Sequence, residues 1–133
     1  MAAEIEERFE AIEECYEFML AYAAQGLPSD KGSESGKQVR EFLTRAVNGL
    51  SGLAESCGEA IGEDRPAFLA VLERDARDSL AALELVLAQP EISSQLIDNL
   101  NASVHLRALL TDVFLLGEVL RAHPVAALSA ASS

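Results

Sequence analysis

The chain has 133 residues, half of them apolar, with 5% aromatic residues, no tryptophan and a formal net charge of −12. That length fits one domain able to bury a core without disulfide or metal support. The charge excludes nucleic-acid binding through a basic surface and disfavours anionic membranes, because phosphate neutralisation needs clustered Lys and Arg.

The acid is concentrated early: residues 1–35 carry −7, residues 36–90 carry −3 and residues 91–133 carry −2. Richness in Ala, Leu, Glu and Arg favours helix. No apolar run approaches the roughly 18 residues of a membrane span. The acidic start lacks the basic and apolar regions of a signal peptide. The expected location is the cytoplasm, and the Ala- and Arg-leaning composition is associated with a bacterial source.

Residues 3–25 read as the first helix. Ile5, Phe9, Ile12, Tyr16, Met19 and Ala23 alternate in steps of four and three, a heptad seam suited to near-parallel helix packing. Gly26 and Pro28 end it. Residues 26–35, "GLPSDKGSES", form a loop longer than most helix–helix connections and are expected to be mobile. A second helix is expected from Ser35 to about Cys57, with Val39, Leu43, Ala46 and Leu50 inward and Gly49 and Gly52 inside it, where a neighbouring backbone approaches. Asp64 is the expected cap of a third helix, with Pro66 in its first turn. That helix runs to about Ala88, with Leu72, Ala76 and Leu83 inward and Arg74, Asp75, Arg77 and Asp78 outward. Residues 91–122 are expected to break at Asp98–Asn101, with Asn101 capping a last helix to Arg121. Pro124 ends that helix, and 124–133 is an Ala/Ser-rich tail outside the domain at 1–123.

The resulting fold class is an all-α antiparallel helical bundle of about four long helices plus a short connecting helix. Antiparallel pairing of the first hairpin places Tyr16 opposite Ala46 and Met19 opposite Leu43. It puts Cys15 far from Cys57: the ten helical residues between Val47 and Cys57 span about 15 Å, beyond disulfide reach of about 7 Å. Both are expected to be free, buried thiols.

Several stretches suggest chemistry. "GSESGKQ", Gly32–Gln38, looks like a phosphate-binding loop, but three residues separate its glycines where four are needed. Gln38 stands where the magnesium-binding hydroxyl belongs, and a helix precedes it instead of a strand. The same residues fit a capping box at Ser35 and Gln38. "SVHLRALLTDVFLLGEVL" bears a passing likeness to the phospho-accepting helix of sensor histidine kinases, but no acid follows His105 and the spacing to Leu106–Arg107 is one residue short. Histidine-phosphotransfer bundles place Lys and Gly where this chain has Ala108 and Leu109. His105 remains a minor functional candidate, expected on a partly buried helix flank. Neither His105 nor His123 has the acid three residues earlier that a di-iron bundle requires, so no metal or cofactor is expected. No base accompanies a Cys or Ser nucleophile, and Cys15 lies among acids that disfavour thiolate.

Glu6, Glu10, Glu13 and Glu17 are spaced by four, three and four and so share one helix face. They form the candidate partner-docking face. The sequence therefore reads as a non-enzymatic interaction module, an accessory, assembly or regulatory factor with a protein partner of basic character. Abundant Leu on the last helix adds an expected homodimer. Two alternatives are a small-ligand-binding protein or enzyme with its pocket inside the bundle, lined by His105 and the two tyrosines and lidded by 26–35, and an acidic polyanion mimic that blocks a nucleic-acid-binding partner.

Overall fold

The computed structural model describes residues 2–61 and 66–122 and shows an all-α helical bundle. Six helices occur among those residues: α1 Ala2–Ala24, α2 Glu34–Leu50, α3 Leu53–Ile61, α4 Pro66–Leu87, α5 Ser94–Ala102 and α6 Val104–Ala122. No helix of the described residues is long and apolar enough to cross a membrane. The Asp64 cap, His123 and the tail at 124–133 lie outside the described residues.

The core follows the apolar periodicity closely. Ile5, Phe9, Ile12 and Met19 of α1 meet Val39, Leu43, Ala46 and Leu50 of α2, with Leu72, Leu83, Leu109 and Val113 from α4 and α6 completing it. The seam of α1 drifts, however. Cys15 and Tyr22 are buried where the strict heptad put Tyr16 and Ala23, which are only half-buried. A straight helix advances 3.6 residues per turn, so a 3.5-residue pattern slips across its face. Contacts between α1 and α2 show a register about two residues from the expected one. Phe18 stacks on Phe42 at 4.6 Å between centroids, and Glu14 meets Arg45 at 2.8 Å.

Three boundaries differ from expectation. The second helix is interrupted at Ser51–Gly52, where Gly52 takes φ +81°, a left-handed conformation that a side chain would resist. The start of the second helix lies two residues early and carries a simple side-chain cap in place of the expected capping box. Ser33, not Ser35, is the N-cap of α2, and its Oγ accepts from Gly36 N at 3.0 Å. Asn101 does not cap the last helix. It is buried inside α5, and Ser103 opens α6 by accepting from Leu106 N at 3.3 Å. Asn and Ser are comparable cap residues, so local chemistry did not separate them; the break falls at Ser103.

Two arginines close helix C-termini that have no basic residue in their own last turn. Arg8 of α1 donates through Nη1 to Gly49 O at 3.0 Å and Ser51 O at 2.5 Å, beyond the end of α2, and pairs with Glu4. Arg40 of α2 donates to Leu87 O at 3.2 Å and Gln89 O at 2.9 Å, at the end of α4. A guanidinium suits these positions because the last carbonyls lack helical partners and carry the negative end of the dipole.

The loop between α1 and α2 is tied down, contrary to the expected mobility. Asp30 is buried, accepts from Ile92 N at 2.6 Å and pairs with Arg40 at 2.5 Å. Leu27 exchanges hydrogen bonds with Ser94, its N–H donating to Ser94 Oγ at 2.8 Å and its carbonyl accepting from Ser94 N at 2.8 Å. Gly36 lies against this loop so closely that a Cβ there would fall on the Asp30 carbonyl.

Candidate docking face on α1

The helical spacing carries through to the surface. Glu6, Glu10 and Glu17 are exposed and Glu13 is half-buried, all along one face of α1. Two other glutamates of the same helix are engaged: Glu4 pairs with Arg8 and Glu14 with Arg45. Among the described residues no cation pairs with Glu6, Glu10, Glu13 or Glu17.

The stripe has an apolar end that the acidic pattern hid. Leu20 continues the same spacing three residues beyond Glu17 and is 46% exposed. It borders an open hollow of about 590 Å³ at the C-terminal end of α1, with Ala24, Leu27 and Pro28 beside it and Asp98 at the rim. The wall is rigid for local reasons. Tyr22, fully buried, donates its hydroxyl to Ile92 O at 2.7 Å, and Ser94 Oγ donates to Tyr22 O at 2.6 Å. Leu20 could have been read from the sequence by extending the stripe one step. Tyr22 and Ser94 gave no such signal, because their pairing spans 72 residues of sequence.

A second hollow of about 500 Å³ opens where α2 breaks into α3. Leu50, Leu53, Leu69 and Leu80 line it, and the Glu73–Arg77 ion pair at 2.9 Å stands on its rim. His105 and the two tyrosines line neither hollow. His105 is exposed on α6, not partly buried, because its stretch of helix begins at the surface. Only its backbone is engaged, the carbonyl accepting from Ser79 Oγ at 2.9 Å. No group of three or more His, Cys, Asp or Glu among the described residues is arranged to hold a metal ion.

The thiols are free and buried as expected. Burial pushes Cys15 up to about 12 and Cys57 up to about 11, which leaves both as inert thiols at neutral pH. Asp30 behaves oppositely. Burial raises its pKa, but hydrogen bonds from Arg40 and Ile92 outweigh that and hold it below the usual carboxylate value. The face thus offers negative charge that no cation among the described residues pairs with, leading into an apolar hollow. Comparison with known proteins returned no matching family, no matching curated protein and no matching solved structure.

Proposed function

We propose that this chain is a non-enzymatic interaction module, an accessory or regulatory factor that docks a basic helical segment of a partner protein along α1. The observation that carries the reading is the contrast within one helix. Glu4 and Glu14 are used internally, whereas Glu6, Glu10, Glu13 and Glu17 meet no cation among the described residues and lead into exposed Leu20 and its hollow. A partner helix with Lys or Arg at matching spacing and one apolar residue at its end would complement both parts. Charge complementarity of this kind governs encounter rate and register, while the apolar anchor supplies affinity. A cytoplasmic location suits such a module.

Self-association through α6 belongs to the same proposal. Phe114, Leu115 and Val119 are exposed there. Light scattering across a concentration series tests it: a dimer is expected, and a monomer throughout would remove it.

The docking reading is tested by native mass spectrometry of the tagged protein recovered from its own host, comparing wild type with the fourfold Gln variant at Glu6, Glu10, Glu13 and Glu17 and with Leu20→Asp. A co-purifying basic protein that is released by salt, absent from the fourfold variant and reduced by Leu20→Asp is the expected outcome. A partner retained by the fourfold variant would sink the acidic face as the binding surface.

A further inference from the structure

The seam between α4 and α6 holds a feature that the docking face does not use. Asp112 of α6 is only 5% exposed, and its Oδ2 is buried without a hydrogen-bond partner of the ordinary donor kind. Its neighbour is another acid, the Asp75 carboxyl of α4, which stands within hydrogen-bonding reach. One turn along the same stripe of α4, Ser79 donates to His105 O on α6, so Asp75 and Ser79 mark one antiparallel edge where the two helices meet. The sequence pattern put Asp75 on the outside of α4; it is half-buried at this edge instead.

Two carboxylates facing each other at this edge make it costly for the buried Asp112 to ionise without a cation. Among the described residues no Lys, Arg or His of α1, α4, α5 or α6 pairs with Asp112, and Asp75 is the one ionisable group acting on it. A proton is the simplest way to satisfy the pair, because a protonated carboxyl becomes a donor to the other. The geometry points to a proton held on the buried Asp112 carboxyl and donated to Asp75, which latches α4 to α6, a latch that opens as pH rises.

The chemistry supports the direction. Burial first, then the Asp75 hydrogen bond and charge, push the Asp112 carboxyl up to about 7 from an ordinary 3.8. The folded seam therefore binds a proton that the unfolded chain has already lost. Stability is greatest below this window and falls as pH rises from about 4 towards about 7, with the unfolding constant rising by up to about tenfold per pH unit. Above that window Asp112 is ionised in both states and the slope vanishes. Asp30 stabilises throughout this range and changes with pH only below about pH 4, so a scan from pH 5 to pH 8 reads the Asp112 proton without it.

The test is chemical denaturation from pH 5 to pH 8 of wild type and of Asp112→Asn, which keeps the shape and donates to Asp75 without titrating. The wild-type midpoint should fall across this range and the variant's should not. Carboxyl-carbon NMR of wild type should show Asp112 titrating well above the ordinary range, a readout that needs no variant to fold. If Asp112→Asn fails to fold, Asp75→Asn should lower the Asp112 titration in the same spectra. Parallel denaturation profiles, or an Asp112 carbon that titrates below pH 5, would overturn the latch. So would a melting temperature raised by Mg²⁺ or Ca²⁺ in wild type and not in Asp112→Asn, which would assign the two carboxyls to a metal ion.

Discussion

Tyr22 donates its hydroxyl to the carbonyl oxygen of Ile92 at 2.7 Å, joining the end of α1 to the segment before α5 across 70 residues of sequence. Both residues are fully buried. Removing the hydroxyl in Tyr22→Phe leaves that carbonyl without its partner and should cost about 1–3 kcal/mol. Ser94→Ala should cost a similar amount, since Ser94 Oγ donates to Tyr22 O and accepts from Leu27 N. Urea denaturation measures both, and a loss under about 0.3 kcal/mol in each would mean the network does not hold the end of α1.

The two arginine caps should differ in weight. Arg40 holds a buried carboxylate as well as the end of α4, whereas the partner of Arg8, Glu4, is exposed. Arg40→Met strands Asp30 and should cost about 2–4 kcal/mol, and Arg8→Met about 1 kcal/mol. The Asp30 contribution has a defined pH window. Its folded pKa is depressed, so the stabilisation is present above the unfolded value of 3.8 and is lost as pH falls through the folded one. The stability gap between wild type and Arg40→Met should narrow as pH falls below about 4, leaving only the share from capping α4, and a constant gap down to pH 2 would contradict the pairing.

At the start of α2, Ser33→Ala should destabilise by about 1 kcal/mol, while Ser35→Ala should be near neutral. Gly36→Ala should be the most damaging of the three, since its methyl group would strike the Asp30 backbone and displace the loop that carries the ion pair. Equal losses at Ser33 and Ser35 would argue for the capping box at Ser35 and Gln38.

Much of the bundle was legible because helical periodicity and the Gly and Pro stops act within one segment. Ile5, Phe9, Val39, Leu43 and Leu72 are buried as their spacing implied. The shortfalls share a different cause. Asp30, Arg40, Tyr22 and Ser94 are defined by partners 10 to 72 residues away, and nothing local marks them. "GSESGKQ" illustrates this: Gly32 and Gly36 suggested phosphate, yet Gly36 is small because Asp30 lies over it. The acidic stripe was visible because four residues of one helix define it, and Asp75 was misplaced because its partner sits on another.

Buried thiols should be unreactive in the folded chain. Cys15 and Cys57 are both shielded, with thiolate formation disfavoured by burial. A disulfide reagent at pH 8 should label neither in native buffer and both in urea, at matched rates. Rapid labelling of one cysteine without denaturant would show local opening around it.

The docking stripe also predicts a stability effect that needs no partner. Glu6, Glu10, Glu13 and Glu17 repel one another at three- and four-residue spacing, each adjacent pair costing about 0.2–0.5 kcal/mol. Replacing all four by Gln relieves that repulsion and breaks no ion pair among the described residues. The fourfold variant should therefore melt at the same temperature or a few degrees higher at low salt. The difference should shrink as salt screens the charges over about 10 Å. A variant less stable than wild type at every salt concentration would mean that these carboxylates hold the fold together, and a face needed for folding is not one left free for a partner.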